Sequence, residues 1–178
     1  EGAHAARAPA HPFRHNDPGH LSRVIARNGP GIVVVDSVYS TTGALCPLTE
    51  MVEVAEQHGC MILVDESHSL GTHGPGGAGL CAELGLTNRV HFITASLAKA
   101  FAGRAGFFSA PAEMRYYILS SSYPNIFSSS LLPHEIAGLA ATLEVIKGCD
   151  SERARLRTNT RRLRSSFTEL GYPIHQGT

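Results

Sequence analysis

Apolar and polar positions fall into blocks along the chain that predict strands separated by helices. Gly31-Ile-Val-Val-Val-Asp36 is an unbroken β-branched run, the pattern of a strand buried on both faces. Pro47 then opens a helix that sets Leu48, Met51, Val52 and Ala55 on one stripe, and Gly59 closes it. Met61-Ile-Leu-Val-Asp65 is a second buried strand, so residues 31 to 65 read as a right-handed βαβ unit with parallel strands. A glycine-rich loop and a short helix around Leu80 to Leu84 lead to a third strand, Val90-His-Phe-Ile-Thr94. The next run, Ala105-Gly-Phe-Phe-Ser109, follows too soon for a helical crossover, which predicts an antiparallel neighbour.

Pro133 starts another helix with Ile136, Leu139, Ala140, Leu143 and Ile146 on one face, and Gly148 stops it. Residues 150 to 170 read as a long basic helix with Leu156, Leu163, Phe167 and Leu170 facing inward, and Gly171-Tyr-Pro-Ile begins a further element. The sum is an α/β fold: a mostly parallel sheet with one antiparallel strand and helices on both faces.

Composition narrows the function classes. The chain has 178 residues, 43% of them hydrophobic, and 15 Lys and Arg balance 15 Asp and Glu. Zero formal charge argues against a general nucleic-acid binder and against a binder of anionic membranes. The six arginines from Arg153 to Arg164 read as the solvated face of the long helix. Apolar runs of a few residues cannot span a bilayer, and the opening EGAHAARAPAHPFRHND has no apolar core of a signal peptide. Cys46, Cys60, Cys81 and Cys149 are scattered, without a CxxC pair, so neither a zinc site nor a disulfide framework is expected. A reducing cytoplasm is the expected compartment. A start without methionine and a stop where an element begins suggest an internal segment of a longer enzyme.

In open α/β sheets, ligands bind beyond the carboxyl ends of the strands. Those ends carry Asp36, Asp65 and Thr94, and the loops after them carry Ser40, His68, Ser96 and Lys99. Taken alone, Asp36 reads as a loop cap. Lys99 lies in a small-residue loop between two strands that read as buried, with no acid near it in sequence. A lysine held among apolar neighbours loses ammonium stability and becomes a Schiff-base former. Asp65, closing a buried strand, suits a partner for a protonated pyridine nitrogen, which keeps a pyridoxal ring an electron sink. His68 is three residues further on, and Ser40 and Ser96 offer hydroxyls for phosphate or ring oxygen.

Three decoys are weaker. Gly74-Pro-Gly76-Gly-Ala-Gly79 matches a dinucleotide fingerprint but comes about nine residues after its strand, and reads as a turn into the next helix. Ser67, His68 and Asp65 are too close in sequence for a hydrolase triad. His68 and His73 lack a third ligand at any recognised spacing, so no metal is expected.

Four segments resemble those of the α-oxoamine synthases, fold-type I enzymes dependent on pyridoxal phosphate (PLP). Asp36-Ser-Val-Tyr-Ser40-Thr-Thr-Gly43 is similar to their D-[GS]-V-[FY]-S-x-x-G segment, and Val64-Asp-Glu-Ser-His68-Ser-Leu-Gly71 to their D-x-x-H-x-x-G segment. Thr94-Ala-Ser-Leu-Ala-Lys99 is similar to their Schiff-base segment, and Ile126-Phe-Ser-Ser-Ser-Leu-Leu-Pro133 to the segment that crosses the dimer interface. Within the family, the phrasing is closest to the quorum-sensing autoinducer synthases.

The resemblance implies that residues 1–148 are part of the PLP-binding large domain. Residues 149–178 would be an interdomain helix and the start of a C-terminal domain. It implies that Lys99 forms the Schiff base and then shuttles the Cα proton, that Asp65 pairs with the pyridine nitrogen, and that His68 contacts the phenolate oxygen. Ser40 would lie beside the ring and Ser96 would hold the phosphate. Ser128 and Ser129 would reach the phosphate of a partner subunit, which implies a homodimer. The implied reaction joins an acyl-CoA to an amino-acid-derived donor, giving an aminoketone precursor of a signal. Alternatives are the 2-amino-3-ketobutyrate CoA ligase and 8-amino-7-oxononanoate synthase types, or an inactive fragment that only dimerises. The family's upstream phosphate-binding turn and ring-stacking residue would fall before Glu1, and its carboxylate-binding arginine after Thr178.

Overall fold

The apolar runs predicted as strands pair into one sheet. In the computed structural model, which describes residues 2–174 and 177, the elements run in the order α1 (Gly2–Ala5), α2 (Pro18–Asn28), β1 (Ile32–Asp36), α3 (Leu48–Gln57), β2 (Met61–Asp65) and α4 (Leu80–Glu83). There follow β3 (Phe92–Ser96), β4 (Gly106–Ser109), α5 (Arg115–Ser121), α6 (Tyr123–Ile126), α7 (Pro133–Gly148) and α8 (Asp150–Glu169). The sheet order is β1-β2-β3-β4, with β1, β2 and β3 parallel and β4 antiparallel to β3. Both the parallel unit and the antiparallel return therefore stand as expected. The register sets Asp36 beside Asp65 and Asp65 beside Thr94, one polar row across three strands, at the ends of β1 and β2 and two residues before the end of β3.

The core lies on one face of this sheet. Val33, Val35, Ile62 and Val64 point into it and meet Leu48, Met51, Val52 and Ala55 of α3, with Leu80, Cys81 and Leu86 closing the edge. Each large apolar side chain fully buried there contributes roughly 1.5–3 kcal/mol. Leu21 and Ile25 of α2 complete the cluster. That helix was not foreseen, although its signal is present. Asp17 accepts the N–H of His20 at 2.7 Å as an N-cap, and Pro18 occupies the first turn.

Several expectations need correction. The first strand is not buried on both faces: Ile32 and Val34 are 54% and 60% exposed while Val33 and Val35 are buried. A β-branched run suits a pleated surface whether one side or both are covered, so hydropathy did not distinguish them. All four residues of β4 are exposed, so it is an open edge and not a buried strand. The third strand runs two residues later than predicted, ending at Ser96, because the N–H of Val90 turns back to the Leu86 carbonyl. On α7 only Ile146 of the predicted apolar face is buried. On α8, Leu156, Leu163, Phe167 and Leu170 are exposed, and the buried side chain is Arg153, at 4% exposure.

Arg153 fastens α8 through its first turn. Its guanidinium donates to the carbonyls of Ile146 and Lys147 at the end of α7 (2.6 and 3.4 Å) and to Asp150 (2.6 Å). A longer contact reaches the Gly71 carbonyl at 3.5 Å. From Gly171 the backbone is traced as a turn and irregular chain to Ile174; the rest of the expected further element includes His175, Gln176 and Thr178, which lie outside the described residues. Among the described residues no helix is long and apolar enough to cross a membrane.

Candidate functional site

The row formed by Asp36, Asp65 and Thr94 is the floor of the candidate site, and three loops rise from it. After β1 the chain folds into a tight hairpin. Val38 bridges Leu45, the Tyr39 N–H donates to the Ala44 carbonyl, and the Gly43 N–H closes the turn onto the Tyr39 carbonyl at 2.8 Å. Ser40 is exposed on this hairpin. The Tyr39 ring stands edge-on to His15 with centroids 4.4 Å apart. Burial holds the Tyr39 phenol above its usual range and pushes the Cys46 thiol beneath it up to about 12, so both stay protonated at neutral pH.

After β2 the chain turns sharply. The Asp65 carboxylate accepts the N–H of Ser67 at 2.8 Å, a local Asx turn that orients the acid over the strand end. His68 follows, half-buried, in a helical turn held by the Ser69 and Leu70 N–H groups donating to the Glu66 carbonyl. Burial raises the Asp36 carboxyl above its ordinary value; the Asp65 charge raises it further and His68 opposes them. The two carboxyls and the imidazole thus share one electrostatic site.

After β3 the Ser96 N–H donates to the Ser67 hydroxyl at 2.7 Å, and the Ser96 hydroxyl accepts the Ala98 N–H at 3.3 Å. Lys99 sits in the next turn, whose Lys99 carbonyl accepts the Ala102 N–H at 2.9 Å. The Lys99 and His68 loops touch. A Cβ on Gly71, where φ is +86°, would meet the Ala100 Cβ at 2.5 Å, so only glycine permits this approach. The apolar surroundings expected for Lys99 are not found: it is exposed. The small residues around it read as a core pattern in sequence, but here they let the two loops approach each other.

Asp65, His68, Ser96 and Lys99 are therefore gathered at one sheet edge, with Asp36 beside them and Ser40 on the adjoining hairpin. Ser128 and Ser129 are exposed on the segment between α6 and α7, and share no hydrogen bond with this cluster among the described residues. The glycines of the dinucleotide decoy form a turn leading into α4, as expected. Sequence reasoning missed Ser37, Glu66 and Ser69, and set Ser67 aside with the hydrolase decoy; all four are buried polar residues beneath the site. Glu66 alone carried a signal, a carboxylate set between an apolar strand and a glycine-rich turn.

As a donor set, the cluster offers a carboxylate, an imidazole, hydroxyls and a primary amine on neighbouring loops at the carboxyl ends of the strands. It suits a flat, phosphate-bearing heteroaromatic aldehyde: the acid for a ring nitrogen, the amine for the carbonyl carbon, and Ser96 for the phosphate.

Comparison with known proteins follows the same lines. The family model for aminotransferase class I and II matches residues 1–177. The chain is 49% identical over 174 residues to the CAI-1 autoinducer synthase of Vibrio campbellii, covering 98% of this chain and 44% of that protein. It is 38% identical over 177 residues to 5-aminolevulinate synthase 2 of Cereibacter sphaeroides, with the same shares covered. A solved structure of SPT with PLP as internal aldimine superposes with a TM-score of 0.83 at 33% identity, over 90% of this chain and 41% of that one. The chain spans less than half the length of these relatives.

Proposed function

The chain belongs to the aminotransferase class I and II family, and from that premise we propose that it acts as a PLP-dependent α-oxoamine synthase of the autoinducer-forming kind. Such an enzyme is a C-acyltransferase that condenses an acyl-CoA with an amino-acid-derived donor to an aminoketone. The observation that carries this reading is the convergence of Asp65, His68 and Lys99 on one strand-end edge, bonded across by Ser67 and Ser96. The 49% identity to CAI-1 autoinducer synthase, against 38% to 5-aminolevulinate synthase 2, supports the autoinducer branch.

Bound PLP supplies an electron sink for charge developing at the donor's Cα. The chain's own groups then divide the work. The exposed Lys99 amine would hold the cofactor through its carbonyl carbon and, as a free amine, would take and return the Cα proton of the donor. Asp65, fixed by the Ser67 N–H, keeps a pyridine nitrogen protonated. His68 would donate to the ring oxygen, Ser40 would stand beside the ring, and Ser96 would bind the phosphate. Ser128 and Ser129 serve the site of a second copy. Support for that homodimer comes from the exposed apolar side chains around them: Tyr116, Tyr117, Tyr123, Phe127 and Leu132. In this reading residues 1–148 belong to the cofactor-binding domain and α8 leads out of it. The free cysteines suit a reducing cytoplasm.

The test is the visible spectrum of the intact protein with PLP, then borohydride reduction and peptide mapping. A pyridoxyl adduct on Lys99, followed by CoA release from acyl-CoA and an amino donor, is the expected result. No visible band would leave the chain as a dimerising module without chemistry. Asp65→Asn keeps an oxygen for the Ser67 N–H but loses the charge, and turnover should fall by about 100-fold or more with PLP still bound.

A further inference from the structure

Beneath the site runs a chain of buried polar groups with no part in the chemistry described above. Glu66 is 1% exposed, and Ser37 and Ser69 are fully buried. A buried carboxylate is costly unless its oxygens are matched by donors. Glu66 is matched: one oxygen accepts the Cys81 N–H at 2.7 Å, and the other accepts the Leu80 N–H at 2.8 Å and the Ser69 hydroxyl. With the Ser69 proton on Glu66, the Ser37 hydroxyl donates to the Ser69 oxygen at 2.7 Å, its one proton shared with the Asp65 carbonyl at 2.9 Å, while the Ser37 N–H donates to that carbonyl at 2.9 Å. The Glu66 N–H donates to the Thr94 carbonyl at 2.7 Å. Gly79 leaves the space this requires, since a Cβ there would stand 2.6 Å from a Glu66 oxygen.

We infer that Glu66 is a positioning residue: its carboxylate, on the start of α4 directly and on the end of β1 through Ser69 and Ser37, acts with its N–H on Thr94 of β3 to lock the turn from Asp65 to His68, and so sets where the acid and the imidazole stand. The inference rests on the proposed function for its purpose, but the lock itself is independent of any cofactor. Four segments meet at it: the ends of β1, β2 and β3, and the start of α4. Glu66 lies between Asp65 and His68 in sequence, so a shift of its side chain moves both. An uncharged carboxamide of the same shape cannot replace it, because in either orientation its NH2 would face a backbone N–H, that of Cys81 or that of Leu80, with one acceptor lost.

The experiment compares Glu66→Gln and Ser69→Ala with Val52→Ala, a core substitution on α3 of comparable destabilisation, in the intact protein. Hydrogen exchange is followed on peptides covering 64–72, 79–82 and 94–98 without cofactor. Exchange in Glu66→Gln should quicken by about tenfold in all three peptides, and that in Ser69→Ala in the first, while Val52→Ala leaves the pattern unchanged. Quickening confined to 79–82, or shared equally by Val52→Ala, overturns the inference. PLP affinity and the induced circular dichroism of the bound ring give the second readout. Affinity about tenfold weaker with an altered band in Glu66→Gln, against unchanged values in Val52→Ala, supports it; wild-type values in Glu66→Gln overturn it. If the wild type takes up no PLP, the functional reading fails, and the exchange result decides on the lock by itself. If Glu66→Gln does not fold, Ser69→Ala decides by the same readouts.

Discussion

The Ser96 backbone N–H donates to the Ser67 hydroxyl at 2.7 Å, so the strand end leading to Lys99 is bonded directly to the turn carrying Asp65 and His68. Ser67→Ala removes the acceptor and leaves that N–H unmatched in a largely buried place. The expected loss is about 1–3 kcal/mol, read as a lower urea midpoint with unchanged slope. A midpoint equal to the parent's would mean that water replaces the hydroxyl and that the two strand ends are not coupled through it.

Gly71 makes the second link between these loops. Gly71→Ala puts a Cβ against Ala100 and forces a side chain into left-handed backbone, where φ is +86°. Strain and overpacking together should cost roughly 2–4 kcal/mol. Borohydride trapping at Lys99 should fall in the same variant, because the loop bearing the amine must move aside. Trapping at the wild-type level, in a protein of wild-type stability, would remove Gly71 from the site.

Asp36 gives a pH-dependent expectation. Its folded carboxyl titrates above the ordinary 3.8, chiefly through burial and then through the Asp65 charge. A raised acid favours the folded state below its unfolded pKa, and that favour is lost as pH rises through the folded one. Asp36→Asn cannot ionise, so its melting temperature should exceed the parent's near neutrality, and the gap should close as pH falls below 3.8. Thermal unfolding across that range checks it. A gap that stays constant with pH would assign the effect to something other than the charge.

Arg153 predicts how α8 is held. Arg153→Met keeps most of the stem volume but leaves the Ile146 and Lys147 carbonyls without their donor. Cleavage within 150–169 by a glutamate-specific protease should become several-fold faster while α3 and the strands stay protected. Unchanged cleavage would show that α8 is secured elsewhere.

Sequence alone determined what depends on neighbours a few residues away. The β-branched run to Asp36 and the run to Asp65 make strands because of their own side chains, and Pro47, Gly59, Pro133 and Gly148 bound helices by backbone constraint. The short gap before Gly106 dictated an antiparallel return, and the strand-end rule pointed to Asp65, His68, Ser96 and Lys99. What only the tertiary structure decided is which face is covered and who partners whom. Ile32 and Val34 are as apolar as Val33 and Val35, yet lie exposed, because burial is a property of what packs against a strand. Glu66 and Arg153 would be solvated charges by hydropathy. Glu66 is buried because the amides that match it lie 14 and 15 residues on, and Arg153 because α8 folds back onto the end of α7, where its guanidinium meets the Ile146 carbonyl and comes within 3.5 Å of the Gly71 carbonyl 82 residues back. Pairings at such distances exist once the backbone has folded, and no local pattern of hydrophobic and polar residues encodes them.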